Sequence, residues 1–182
     1  VKNSQEVFAV FVRNEFLIQI NIYNCKKRIF DKEVHLPSVV APILVDKNIA
    51  YIVRNNGKPP VSYNLDNLEI VWEANIKKET KKSLFYENSK VDLKWNVWGG
   101  AVIDKKNNQI VFSTSNPRPG FVSKNRKGKN LFHNSVVSVN IKNGLYKWHF
   151  QEIEHDLLNL DLASPPIIVS YIDTNLNPIN YI

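Results

Sequence analysis

The sequence has no methionine, one cysteine, only six glycines in 182 residues and no long apolar run. No stretch approaches the roughly 18 consecutive apolar residues that a membrane-crossing helix needs, so a helical span is excluded. Cys25 alone supports neither an internal disulfide framework nor a cysteine-rich zinc site, and one cysteine does not fix a compartment. The chain opens at Val1 and contains no methionine, so it is read as less than a complete translation product, its leader removed or its ends trimmed. The opening run from Val7 to Val12 is too short and too poorly flanked to be a targeting segment. Negative charge is in deficit, with 17 Asp plus Glu against 24 Lys plus Arg, a net +7. With 43% hydrophobic and 11% aromatic residues, disorder is excluded, because that much apolar surface offsets chain entropy. The length suffices for one sizeable core or for part of a larger domain.

What is present is a succession of short, β-branched apolar runs cut by Asn, Gly, Lys and Pro. Ile49 to Val53, Gln109 to Ser113, Ser135 to Ile141 and Pro166 to Tyr171 are each about strand length and bounded by turn residues. No apolar period near 3.6 persists for several turns. The expectation is an all-β fold, with at most a short helical turn around Lys77 to Lys82.

A weak internal repeat accompanies the strands. Ser138 to Trp148 reads as strand, tight turn and strand ending in Trp, and Ser62 to Trp72 has the same layout with Asn and Trp in the same places. Gln19 to Phe30 is a degraded copy, with Phe30 in the Trp place and Asn24-Cys25-Lys26-Lys27 as its turn. Asn143-Gly144 suits a hairpin in which both residues tolerate positive φ. An aromatic at a fixed offset after each turn is in the style of a β-propeller, though a β-sandwich also offers Trp-ended hairpins. The spacing is uneven: a long insertion between Trp72 and Trp148 contains a charged stretch, Lys77 to Lys90, and a Pro-, Gly- and Lys-rich stretch, Asn116 to Asn134.

The C-terminal half carries a series of linked motifs. Asn96-Val97-Trp98-Gly99-Gly100 is followed by Ser113-Thr114-Ser115-Asn116-Pro117, then by Asn130-Leu131-Phe132-His133-Asn134-Ser135-Val136-Val137. After Trp148-His149-Phe150-Gln151 comes the run from His155-Asp156 through Asn159-Leu160-Asp161 to Ala163-Ser164-Pro165-Pro166. In this order the motifs closely resemble the pyrroloquinoline quinone (PQQ) dependent alcohol and sugar dehydrogenases, periplasmic eight-bladed propellers. The resemblance is strong from Asn96 to Val169 and weak elsewhere. It implies that Trp98 is the platform on which the quinone stacks. It also implies that Asn116 binds both cofactor and metal, its side-chain oxygen on a calcium ion beside the quinone. Asn159 falls at the place of the catalytic aspartate, which takes the alcohol proton as hydride leaves for the quinone.

Three departures follow from the same resemblance. A neutral amide at Asn159 cannot act as general base. No carboxylate stands in Ile52 to Pro60, where a calcium-binding glutamate is expected. The adjacent-cysteine disulfide of many members is absent. Asp161 or Asp156 is the possible substitute base.

Each feature also has an ordinary structural reading. Trp98 on its own is a core aromatic, Asn116 before Pro117 a turn initiator, and Trp72 and Trp148 anchors between sheets. His155 and Asp156 lack a nearby nucleophile or second His and are read as strand-end hydrogen-bonding groups. The basic run Arg118, Lys124, Arg126, Lys127 and Lys129 lacks interleaved aromatics and is read as a solvated loop rather than a nucleic-acid grip.

At roughly 40–50 residues per blade the chain makes about three to four blades, so residues 1–182 are expected to form a single incomplete propeller domain. The remaining blades then come from a longer chain, a partner chain or a second copy. The expected function is that of a fragment or divergent member of the PQQ-dependent dehydrogenases. It would use PQQ and calcium to oxidise an alcohol or aldose in the periplasm. The alternative is a non-catalytic propeller scaffold or binding module with a degenerate cofactor site. The propeller lipoprotein of the outer-membrane assembly machinery is a precedent for that alternative.

Overall fold

A computed structural model describes residues 7–76, 94–121, 126, 128–172 and 178–181. Its strands are β1 (Phe8–Arg13), β2 (Phe16–Asn21), β3 (Leu44–Asp46), β4 (Ile49–Ile52), β5 (Val61–Asn64), β6 (Ile70–Glu73), β7 (Ala101–Asp104), β8 (Gln109–Ser113), β9 (Ser135–Asn140), β10 (Tyr146–Gln151), β11 (Val169–Ile172) and β12 (Pro178–Tyr181). They form four sheets in chain order, β1–β2, β3 to β6, β7 to β10 and β11–β12, and every pairing is antiparallel between neighbours in sequence. The Ile20–Lys27 bridge begins a third strand of the first sheet. The stretch Lys77 to Lys82, with its expected helical turn, and the whole of the charged stretch Lys77 to Lys90 lie outside the described residues. Pro166 to Tyr171 becomes strand only from Val169, as the prolines at 165 and 166 offer no N–H to a ladder.

The second sheet is buried on both faces, and the period of two in β4 makes this possible. Ala50 and Ile52 join Leu17, Val34, Leu36, Val61, Tyr63, Leu65 and Leu68 in a cluster toward the first sheet. Tyr51 and Val53 join Trp72, Trp95, Val97, Ile110, Phe112, Phe132, Val137 and Val139 in a cluster toward the third. Each aliphatic side chain so buried contributes about 1.5–3 kcal/mol.

The repeat seen in the sequence is one turn used three times, at residues 21–26, 64–69 and 140–145. The amide N–H groups of Cys25, Leu68 and Gly144 donate to the carbonyls of Asn21, Asn64 and Asn140 at 2.9, 2.8 and 2.9 Å. Those same asparagines accept side-chain hydrogen bonds from the N–H of Tyr23, Asp66 and Lys142. Asn24, Asn67 and Asn143 accept likewise from Lys26, Glu69 and Leu145. Cys25, Leu68 and Gly144 take positive φ of 57°, 57° and 67°. In Asn143-Gly144 only the glycine is left-handed. The asparagine serves through its side chain, as an Asx turn.

These turns also receive the neighbouring sheet. Trp72 Nε1 donates to the Ile141 carbonyl at 2.9 Å. At the preceding interface, the matching carbonyl of Leu65 accepts from Gln19 Nε2 at 2.8 Å and Arg28 Nη1 at 3.4 Å. Phe30 packs against the cluster that contains Leu65 and Leu68 and has no donor of its own, so polar side chains of the first sheet supply the hydrogen bond. Trp148 departs from its expected role: its Nε1 donates to Gln109 Oε1 (3.0 Å) within its own sheet, and no turn of this type follows it among the described residues.

Candidate functional site

Because consecutive strands alternate in direction, the turns at residues 21–26, 47–48, 64–69, 105–108 and 140–145 gather at one end of the sheets, whereas the Asn14-Glu15 turn faces the opposite way, with Leu36 N donating to the Glu15 carbonyl at 2.6 Å. The longer connections, as far as they are described at residues 31–43, 53–60, 94–100, 114–121, 126, 128–134 and 152–168, gather at the other. Backbone and amide bonds join them edge to edge. Asn55 N donates to Ser38 O (2.8 Å), Asn55 Oδ1 accepts from Val97 N (2.7 Å), and Ser115 N donates to Asn96 O (2.8 Å). Asn134 N then donates to Ser115 O (2.9 Å), and Glu152 N to Asn134 O (2.8 Å).

Asn116, Asn159 and Asp161 meet at this end. Asn116 is 1% exposed, and its Nδ2 donates to Asn159 Oδ1 at 2.5 Å and to the Pro117 carbonyl at 3.2 Å. Its backbone N–H donates to Asp161 Oδ1 at 2.9 Å. Its Oδ1 is buried and has no hydrogen-bond partner. Asn159 has a φ of 61°, a conformation in which Asn is among the tolerated residues. Asp161 lines a cavity of about 330 Å³ with Ser113, Val136 and residues 162–166.

Trp98 lies on the 94–100 connection and is 42% exposed, so its indole is surface rather than core. The next residue, Gly99, lies so close to Ala163, Ser164 and Pro165 that a β-carbon there would collide with their backbone. Ser113 Oγ donates to the Ser164 carbonyl at 2.6 Å and fixes the same stretch from β8. Trp98 therefore sits beside the loop that bears Asn159 and Asp161.

Asp156 is no candidate base. It is 2% exposed and its carboxylate is consumed by the N–H groups of Leu158 (2.7 Å) and Leu160 (2.8 Å), with Asn134 Nδ2 at 3.3 Å. It shapes the loop that presents Asn159. His155 likewise bonds through Nδ1 to the Gly128 carbonyl at 2.8 Å, a hydrogen-bonding role.

The reading of Arg126 as part of a solvated basic loop is corrected by the structure. It is 1% exposed and donates to Asn130 Oδ1 (2.6 Å), the Gly120 carbonyl (3.1 Å) and the Asp156 carbonyl (2.7 Å). Its guanidinium ties the 114–134 connection to the 152–168 connection. His133, also 1% exposed, lies under Asn116. Burial pushes its pKa down to about 4 against the nearby Ser115 and Asn116 carbonyls, neither of which is in hydrogen-bonding geometry, and the Arg126 charge pushes the same way. Neither residue stood out in the sequence as a strut, because a lone Arg among lysines reads as surface charge.

The donor set tests two groups that the resemblance implies. A calcium ion asks for six to eight oxygens, carboxylates prominent among them, and the residues present do not fit it. Asn116 Oδ1 is buried without a partner, but it is a single neutral oxygen: Asn159 Oδ1 and Asp161 Oδ1 already accept hydrogen bonds from Asn116, the Asp156 carboxylate is spent on the backbone and Asn134, and the 53–60 connection brings Asn55, whose oxygen accepts from Val97 N. Among the described residues no cluster of three His, Cys, Asp or Glu could hold a metal. A flat ring fits better, since Trp98 offers an exposed indole on the connection whose Gly99 abuts Ala163 to Pro165, the loop that also bears Asn159.

Successive antiparallel sheets packed face to face, with the long loops of one end bearing the polar site, define a β-propeller, here as a partial ring. Residues 39–180 match the family model of the glucose/ethanol/alcohol dehydrogenase β-propeller domain, the PQQ family, and the chain belongs to it. It is 38% identical over 76 residues to the quinoprotein alcohol dehydrogenase PedH of Pseudomonas putida, a match covering 42% of this chain and 13% of that protein. Its fold matches the quinohemoprotein alcohol dehydrogenase ADHIIG of Pseudomonas putida HK5 at a TM-score of 0.69 and 16% identity, over 96% of this chain and 29% of that one. BamB from Moraxella catarrhalis shares the fold at a TM-score of 0.56 and 14% identity, over 91% of this chain and 42% of that one. The chain thus spans a small part of the length of the relatives it matches.

Proposed function

We propose that residues 1–182 form one incomplete propeller domain that supplies the quinone-facing part of a PQQ-dependent dehydrogenase, oxidising an alcohol or aldose in the periplasm. Further blades, from a longer chain, a partner chain or a second copy, complete the ring. One observation carries the reading: Asn116 and Asn159, 43 residues apart, are in contact at the loop end of the sheets, with Asp161 bonded to the same asparagine. Trp98 is the stacking platform, and the buried Asn116, through its amide hydrogen bond to Asn159, fixes the loops that flank the ring. When bound, PQQ supplies an acceptor for hydride. Asp161 holds the proton given up by the alcohol, because among the described residues it is the one carboxylate hydrogen-bonded to Asn116. Its Oδ1 is fixed by the Asn116 N–H, and it lines the adjoining cavity. Calcium has no part in this account, since the donors do not suit it.

A second reading, a non-catalytic scaffold or binding module, is favoured by the same amide pair. Asn159 stands where the base is expected, cannot take a proton, and has its oxygen occupied by Asn116.

Titration of the protein with PQQ, read by quinone absorbance and tryptophan quenching, separates the two. Saturable quenching that disappears in Trp98→Ala is expected. No saturable binding by the complete protein would eliminate the dehydrogenase reading in favour of the scaffold.

A further inference from the structure

We infer that the side-chain amides of Asn116 and Asn159 form a clasp that stands in for a cation, so that the 114–134 and 152–168 connections close on each other without metal. The location is that of the site proposed above, but the clasp is independent of quinone binding. Its geometry is direct. The 2.5 Å hydrogen bond joins a side chain 1% exposed on one connection to the other connection, and a second bond from Asn116 N to Asp161 Oδ1 runs in parallel.

Space and charge both argue that the clasp replaces an ion rather than awaiting one. Gly120 packs down on it: a β-carbon at residue 120 would lie 2.5 Å from Asn159 Oδ1 and 3.3 Å from Asn116 Nδ2. A coordination shell with oxygens at roughly 2.3–2.6 Å would have to displace that backbone and break the amide bond. Among the described residues only one carboxylate, Asp161, is hydrogen-bonded to Asn116, and the neighbouring Asp156 is hydrogen-bonded to backbone and to Asn134. An amide at 159 suits this setting, since it accepts from Asn116 without adding a second negative charge two residues from Asp161.

The argument also says what restores ion dependence. Asn159→Asp places two carboxylates near one another, beside the unpartnered buried Asn116 Oδ1. Like charges then hold the loops apart until a divalent cation joins them.

Thermal unfolding of the full chain in EDTA and in calcium chloride tests this. The wild-type Tm should be the same in both, within about 1 °C, a shift too small for binding at any appreciable excess over Kd. Asn159→Ala should lower Tm equally in both. Asn159→Asp should have a Tm in EDTA below wild type, and saturating calcium at a hundredfold excess over Kd should raise it by roughly 5–10 °C. A wild-type Tm that falls in EDTA and returns with calcium overturns the inference without recourse to any variant. An Asn159→Asp protein indifferent to calcium also counts against it. Failure of the quinone titration would leave both measurements interpretable.

Discussion

The indole of Trp72 lies on Gly144: a β-carbon on residue 144 would fall 2.5 Å from Trp72 Cε3, while Trp72 Nε1 reaches the Ile141 carbonyl at 2.9 Å. One turn thus receives both the face and the polar edge of the aromatic from the preceding sheet, which sets how the two sheets meet.

Gly144→Ala should be costly for two separate reasons. The φ of 67° disfavours any β-carbon, and this one overlaps the indole. A loss of roughly 2–3 kcal/mol in urea unfolding is expected. A loss below 0.5 kcal/mol would mean that the indole moves aside freely.

Cys25 occupies the place of Gly144 in the first of the three turns, at a φ of 57°, but it is exposed. Cys25→Gly should therefore stabilise the protein by about 1 kcal/mol, the opposite sign from Gly144→Ala. Destabilisation would show that this turn is not equivalent to the other two.

His133 gives the folded state a pH dependence whose sign is fixed. Its folded pKa of about 4 lies below the ordinary 6.5, so the unfolded chain binds the proton more readily between those values. This contribution is fully present above about pH 6.5 and is lost as pH falls toward 4, amounting to at most on the order of 3 kcal/mol. The fall in unfolding free energy over that interval should be flattened in His133→Gln. An unchanged profile in the variant would assign the acid sensitivity to other groups.

Asp161→Asn keeps an acceptor for the Asn116 N–H while removing the charge. Tryptophan quenching by PQQ should persist and alcohol oxidation should fall by at least about 100-fold, the scale of a lost general base. Full activity in the variant would clear Asp161 of that role.

The asparagines of the three turns illustrate what was legible in the residues. Asn64, Asn67, Asn140 and Asn143 act on backbone two residues ahead, so spacing alone reveals them. Trp72 was legible for the same reason, as an aromatic at a fixed offset from its turn. Trp148, with the same offset, was misjudged because its partner depends on what lies beside it in space. Arg126 was misread because its three acceptors sit 4, 6 and 30 residues away and only one of them, Asn130, is a side chain.

By itself the sequence determined the strand class, the recurring hairpin and the family, because alternation, turn chemistry and motif order act over a few residues at a time. The tertiary structure alone decided that Asn159 spends its oxygen on Asn116, that Asp161 accepts from the Asn116 N–H, and that one arginine of a basic run is a buried strut reaching Asp156. Those relationships join connections tens of residues apart, where contact is fixed by how the sheets stack and carries no local signature in the chain.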